Sequence, residues 1–206
     1  MLLNLQTLKN KYNLNITGVL QVGAHYGEEY NEYLELFGNI PVVMWEPCID
    51  NYNKLKEVHN KATNLTVINK GVGAFECTVN MFVESANKGA SNSVLEPKLH
   101  LQQYPHIQFN KKEQINLYPL DKWECASIFN FLNIDVQGFE LHVLLGATKT
   151  LHNIDYIMLE VNRAEVYKNC AHIDDIDYFL NKYNFKRVET TWDGEIWGDA
   201  LYIKQK

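Results

Sequence analysis

Residues 18–30, GVLQVGAHYGEEY, limit what this chain can fold into more than any other stretch. An apolar run over 19–22 ends in a small-residue turn between Gly23 and Gly27, and an acidic, helix-competent segment follows. Strand, glycine turn and helix in that order form the layout of a nucleotide-binding βα turn. Gly23 permits a sharp turn, and Gly27 permits a ligand or the strand to come close to the helix start. Amide groups left free there point at whatever binds. The same turn also occurs in α/β proteins that bind nothing at it, so the rest of the chain has to decide.

The periodicity along the chain predicts alternating strands and helices. Leu2, Leu5, Leu8 and Tyr12 fall at helical spacing, which places a helix ahead of the first strand. After the strand at 19–22, a helix over 28–37 carries Tyr30, Tyr33, Leu34 and Phe37 on one face and stops at Gly38-Asn39. Residues 42–46 are a continuous apolar run closed by Glu46, the pattern of a strand buried in a parallel sheet, and Pro47 breaks it. A helix over 49–59 and a strand over 65–68 follow. Alternation over 75–83 reads as antiparallel strand, 85–93 as polar and flexible, and 100–112 as a mobile lid without period. Residues 115–118 read as strand and 120–125 as a short helix. Further strands are expected at 129–136, 154–161, 185–190 and 200–204, with helices from Gly138 to 145 and over 173–183. Asp193-Gly194 marks a hairpin turn before the last strand. The expected architecture is α/β: a parallel sheet with helices on both faces and one antiparallel strand at the C-terminal end. No internal repeat or linker interrupts the 206 residues, so one domain is expected over 1–206, with 1–17 packed on it as an N-terminal helix.

Composition narrows the function classes. Apolar residues make up 46% and charged residues 21% of the chain, ordinary values for a globular protein. A net charge of −6 argues against tight non-specific nucleic-acid binding, which needs clustered Lys and Arg. RNA methylation is disfavoured on the same ground. Cys48, Cys77, Cys125 and Cys170 are scattered and form no C-x-x-C pair, so no zinc or redox signature is present and a reducing compartment is expected. No apolar run reaches the roughly 18 residues of a membrane span. These features lead to the expectation of a cytoplasmic protein, in the host cytoplasm if the source is viral, without a membrane span.

Glu46 lies 23 residues after Gly23 and ends the second strand of the glycine-turn unit. An acid there accepts hydrogen bonds from both ribose hydroxyls in doubly wound folds. At this point a nicotinamide dinucleotide and S-adenosylmethionine both fit. Asp135 ends the strand expected beside the first one, at the crevice where open α/β sheets bind ligands. Nothing in the chain marks a nicotinamide pocket, and a terminal antiparallel hairpin is uncommon in dinucleotide folds.

Here the residues carry a family resemblance. The chain resembles the FkbM family of S-adenosylmethionine-dependent methyltransferases in VLQVGAHYGEEY, VVMWEP, NLTVINKGVGA, SNSVLEP, INLYPLDKW and above all NFLNIDVQGFELHVLLGATKTLHNIDYIMLEVN, in family order over about 18–162. The closing WGDALYIK resembles the family's last strand. The resemblance implies a Rossmann-like class I methyltransferase fold with a mostly parallel seven-stranded sheet. It also implies methyl transfer from S-adenosylmethionine to oxygen, with a sugar hydroxyl of a glycan or glycosylated metabolite as acceptor. A non-catalytic binding module on the same fold, kept within a glycan-assembly system, is the alternative.

The family's D-V-G-A-N-x-G turn falls on Gln21, Gly23, Ala24, His25 and Gly27, with Gln21 where Asp and His25 where Asn is usual. Glu46-Pro47 matches its E-P, and D-x-E-G-x-E reads Asp135, Gln137, Gly138 and Glu140, with Gln137 in place of the first Glu. Glu160 matches the acid that ends strand five. The cofactor contacts expected from the residues and the resemblance together are Gln21, Gly23, Ala24, His25, Gly27, Glu46, Pro47, Gly71, Ser93 and Asp135, with Ser91 an alternative to Ser93. A sugar hydroxyl is a weak nucleophile, so a base or a metal is needed to take its proton. Asp135 and then Glu160 are the candidates for that base. Asp135, Glu160 and Asn162 are the candidate ligands if a divalent metal is used. His100, His106 and His172 have no partner at metal-ligand spacing and read as surface, and His142 reads as packing or surface. Trp192 and Trp197 read either as core closure or as faces on which a sugar stacks.

Overall fold

Four-residue apolar runs leave no polar face, so they fold only where both faces of a strand are covered. The computed structural model describes residues 2–123 and 127–205, and it buries such runs at the centre of a sheet. Helix α1 (Leu5–Tyr12) precedes β1 (Val19–Val22), α2 (Tyr30–Phe37), β2 (Val42–Trp45), α3 (Ile49–Val58) and β3 (Leu65–Ile68). Next come the two-residue β4 (Gly71–Val72), β5 (Cys77–Val83), α4 (His100–Gln103) and β6 (Lys111–Tyr118). The chain closes with β7 (Phe131–Ile134), α5 (Glu140–Leu145), β8 (Tyr156–Asn162), α6 (Ile173–Asn181), β9 (Phe185–Asp193) and β10 (Trp197–Lys204).

The main sheet has seven strands in the order β3-β2-β1-β7-β8-β10-β9. Pairing is parallel from β3 through β8. Strand β10 runs antiparallel to both β8 and β9, so it alone is reversed, as expected from the hairpin signal. It lies second from the edge. The order jumps from β1 to β7, and this switch opens the crevice at the carboxyl ends of the parallel strands.

Alternate side chains of each strand feed two cores. Leu20, Val22, Ile134 and Leu159 pack with Val143 and Leu144 of α5 and Ile176 and Leu180 of α6. Val19, Met44, Phe131 and Met158 pack on the other face with Leu5 and Leu8 of α1, Tyr33 of α2 and Leu55 of α3. The second core carries a polar thread. Asn133 Nδ2 donates to the Tyr33 hydroxyl (2.7 Å), which donates to Gln21 Oε1 (3.1 Å), while Gln21 Nε2 donates to Glu29 (2.8 Å).

A smaller sheet, β4-β6-β5, lies beside the crevice and packs Met81, Ile115 and Leu117 against Cys48 and Phe139. Here the structure departs from the sequence reading. The stretch 100–112 carries regular structure at both ends: its start is α4 and its end belongs to β6, which begins four residues before the predicted strand. The predicted helix at 120–125 is a 3-10 turn at Leu120–Lys122, and its last two residues lie outside the described chain, as does Cys125. Cys48, Cys77 and Cys170 are free thiols. Among the described residues no helix is long and apolar enough to cross a membrane.

The segment after β4 packs on the end of α5 at Gly146, where a Cβ would lie 2.1 Å from the Gly73 carbonyl oxygen. Asp121 reinforces the joint by accepting from the Thr150 amide (2.8 Å) and the Thr148 hydroxyl (2.9 Å), while the Asp121 amide donates to Gly146 O (2.9 Å). Gly146→Ala should therefore cost about 1–3 kcal/mol in urea unfolding, the usual range for overpacking. Unchanged stability would mean that this joint yields freely.

Candidate active site

The glycine turn is shaped by the strand beside it. Gly23 has φ +79°, and a Cβ there would sit 1.8 Å from the Asp135 carbonyl oxygen, so no other residue fits. The amides of Gly23 and Ala24 both donate to the Trp45 carbonyl at 3.0 Å. The next amide, of His25, donates to Glu46 Oε2 at 2.8 Å, and the Cys48 amide donates to Glu46 Oε1 at 2.9 Å. Glu46 is thus fixed at the end of β2 with one bond on each oxygen. Each carboxylate oxygen can accept another, so two acceptor positions stay free for a diol. Burial pushes the Glu46 carboxyl up to about 7, against the pull of the two amides and His25.

Gly23, His25, Glu46, Pro47, Gly71 and Asp135 line one crevice. Met81, Val94, Ile115, Leu117 and Phe139 give it an apolar side. An acid with two spare acceptor positions, a glycine floor and an apolar wall fit the ribose, the chain and the flat base of S-adenosylmethionine. Other expected contacts lie elsewhere. The Gln21 side chain is buried in the polar thread on the helix side of the sheet, because strand alternation turns it away from the crevice. Ala24 is buried among core residues, and Gly27 packs against His59 and Met44. The Ser93 hydroxyl donates to the Gln137 carbonyl (2.7 Å) and does not reach the crevice wall, whereas Ser91 lines a second cavity.

Four acids gather at the back of the crevice: the half-buried Asp135 on its wall and the buried Glu140, Glu160 and Asp199. Glu140 Oε1 accepts the amides of Val136 (3.2 Å) and Gly138 (3.0 Å), fixing the turn into α5. Asp199 Oδ2 accepts the amides of Leu2 and Leu3, so the N-terminal segment seals that side. Gln137 supplies the link. Its Nε2 donates to Asp135 Oδ1 (2.8 Å) and Glu160 Oε2 (2.9 Å), and its Oε1 accepts from the Tyr167 hydroxyl (2.8 Å). The Gln137 backbone is left-handed, φ +55°, a strained conformation for a side-chain-bearing residue.

Desolvation pushes Asp135 up to about 6 and Glu140 to about 7. Burial, and then repulsion from Asp135 and Glu140, drives Glu160 well above the carboxylate range. Asp199 is raised chiefly by burial. The arrangement does not fit a metal. A hydrogen-bond donor, the Gln137 amide, occupies the space between the two carboxylates that would share the ion. No group of three or more His, Cys, Asp and Glu side chains among the described residues is placed to hold a metal.

A second cavity of about 380 Å³ adjoins Gln137, which lines both. Glu160, Ser91, His100, Tyr104 and Trp197 contribute to its walls. His100, expected on the surface, is 3% exposed and packs against Tyr104, Phe109 and Tyr167 with ring centroids 5.2–5.4 Å away. Its position follows from α4, which the sequence showed no period for. His106 and His172 are exposed as expected, and His142 is half-buried, stacked on Phe139. Trp192 lies under the Arg163 guanidinium at 3.7 Å.

The loop between the two cavities, expected to be flexible, is held at several points. Glu84 is buried and accepts the Asn87 amide (2.7 Å), while Asn92 Oδ1 accepts the Glu84 amide (2.9 Å). His25 ties the loop to the glycine turn, with Nε2 3.1 Å from the Lys88 carbonyl and Nδ1 2.6 Å from Glu28. Burial opposes protonation of His25, but Glu28 and the Lys88 carbonyl outweigh it and raise its pKa.

The raised acids make stability pH-dependent. Their unfolded values lie near 4, so between about pH 4 and 7 the folded state holds more protons than the unfolded one. The stability they contribute is present at low pH and is lost as pH rises through the folded values. The midpoint of thermal unfolding without ligand should fall by roughly 5 °C from pH 5.5 to 8, and Glu46→Gln should flatten the slope. A midpoint that is level or rising over that range would contradict the assignment.

The comparisons with known proteins agree with this geometry. The family model described as methyltransferase FkbM domain matches residues 21–187. A 2-O-methyltransferase, NoeI, from Sinorhizobium fredii is 21% identical over 159 residues, covering 73% of this chain and 65% of that protein. The chain thus spans just under two thirds of that relative's length. Magnesium protoporphyrin IX methyltransferase from Synechocystis PCC 6803 superposes with a TM-score of 0.53 at 8% identity, over 97% of this chain and 76% of that one. Precorrin-6y C5,15-methyltransferase from Geobacter metallireducens does so with a TM-score of 0.54 at 11% identity, over 97% and 87%. These structures share the class I methyltransferase fold. With its glycine turn, its Glu46 cradle and a family match spanning most of its length, the chain belongs to the FkbM family of S-adenosylmethionine-dependent methyltransferases.

Proposed function

We propose that the chain transfers the methyl group of S-adenosylmethionine to a hydroxyl oxygen, and that this hydroxyl belongs to a sugar of a glycan or glycosylated metabolite. The observation that carries this reading is the meeting of two cavities at Gln137, one with the amide-held Glu46 carboxyl and the other with Glu160 and aromatic rings on its wall. The similarity to a 2-O-methyltransferase supports oxygen as the acceptor atom.

In this reading Glu46 accepts both ribose hydroxyls, and Gly23, with the turn through His25, seats the methionine end. Pro47 and Gly71 shape the wall beside the base. The bound cofactor supplies an electrophilic methyl on a cationic sulfur. Asp135 lines the crevice and is pushed up only to about 6, so its negative charge at neutral pH faces that cation. A positive charge in the crevice also lowers the pKa of Glu160. Ionised, Glu160 accepts the proton of the attacking hydroxyl as the carbon–oxygen bond forms and the carbon–sulfur bond breaks. Gln137 holds the two carboxylates in place, which preserves the in-line geometry that displacement requires.

Titration calorimetry should show binding of S-adenosylmethionine and not of NAD, and labelled methyl should pass to one or more sugars of a glycoside panel. Glu160→Gln should lower the transfer rate by about 10²–10⁴ with cofactor affinity nearly kept, the usual range for a lost proton acceptor. Asp135→Asn should weaken cofactor binding as well. Binding of NAD alone would overturn the reading. Cofactor binding with no transfer to any sugar would favour a non-catalytic binding module.

A further inference from the structure

The second cavity is chemically distinct from the crevice. His100 is buried, and its Nδ1 has no hydrogen-bond partner among the described residues. Trp197 Nε1 donates to the Tyr104 hydroxyl (3.2 Å), and that hydroxyl lies 3.3 Å from Asp193 Oδ2, so two aromatic side chains are locked as one wall. Glu160 and Ser91 also line it, and no Lys or Arg is among the described residues that do so. The charged and titratable groups facing His100 are Glu84 and His106, with the Tyr104 and Tyr167 hydroxyls beside it. Burial lowers the His100 pKa, so the ring is neutral at pH 7 and offers one acceptor and one donor.

We infer that this cavity is the acceptor subsite and that it takes an uncharged sugar ring, stacked on the Tyr104–Trp197 wall, with His100 selecting a ring hydroxyl. Aromatic faces favour the C–H face of a pyranose, and a neutral imidazole suits a hydroxyl that both gives and takes a hydrogen bond. An anionic sugar meets Glu160 on the wall with no Lys or Arg there to offset its charge, and burying an unpaired charge is costly. The specificity therefore excludes uronic acids and sugar phosphates at the reacting ring, while a phosphate farther along the acceptor stays in solvent. This inference rests on the proposed sugar methylation for the identity of the site, and the two separate experimentally.

The test uses the full chain and matched pairs of methyl glycosides and methyl uronides. Binding is read by saturation-transfer NMR with and without cofactor, and transfer is read from methyl-labelled S-adenosylmethionine. The expected result is at least tenfold weaker binding of the uronides. Trp197→Ala and Tyr104→Phe should each weaken glycoside binding, while the calorimetric affinity for S-adenosylmethionine stays as in the wild type. His100→Gln should change which glycoside is preferred more than it changes the rate on the best one. Equal or better binding of uronides, or glycoside binding untouched by all three substitutions, would overturn the subsite and leave the methyltransferase reading standing. Glycoside binding that follows the expected pattern without any methyl transfer would support the subsite and overturn the proposed reaction. No glycoside binding under any condition would overturn the subsite.

Discussion

Everything around the crevice depends on the Gln137 amide between Asp135 and Glu160. Four acids share one desolvated region, and full ionisation there would be strongly unfavourable. The amide donates to two of them, backbone amides satisfy Glu140 and Asp199, and the rest of the cost is met by raised pKa values. A carboxylate at position 137 would add a fifth acid and remove the donor. The departure from the family's D-x-E-G-x-E pattern is thus a change in what holds the rim together, from charge to a neutral hydrogen-bonding bridge.

The bridge has a structural cost that the fold absorbs. Gln137 adopts a left-handed backbone and anchors at both ends, through Tyr167 on its side chain and Ser93 on its carbonyl. Ser93 and Tyr167 belong to segments that also wall the second cavity, and His25 ties the same loop to the glycine turn. The position of the loop, the ionisation of the acids and the shape of both cavities are therefore coupled through a few hydrogen bonds around one residue.

Much of the fold was legible because its signals are local. The apolar runs of β1, β2 and β7, the glycine turn and the Asp-Gly hairpin each state their own conformation, and the reversal of β10 followed from them. The placement of Gly23, Glu46 and Asp135 on the crevice was legible, because strand ends fix direction. It was not legible at Gln21, whose side depends on strand alternation that a continuous apolar run conceals. Nor was it at Ser93, whose neighbour Ser91 faces the cavity instead. His100 was misplaced because a four-residue helix within 100–112 leaves no periodic trace, and its burial comes from Tyr104, Phe109 and Tyr167, which only tertiary packing brings together. Spacing carries no information about a bridge such as Gln137, since its partners lie two residues away on one side and twenty-three on the other.

The central claim is that the buried acids are poised for a cation and ionise when it arrives. Proton release on cofactor binding tests this most directly. It is measured by titrating S-adenosylmethionine at pH 6.5 in buffers of different ionisation enthalpy. The account predicts a binding enthalpy that varies with the buffer in the direction of net proton release, and a smaller release in Asp135→Asn. A binding enthalpy independent of the buffer, or one that signals proton uptake, would contradict it.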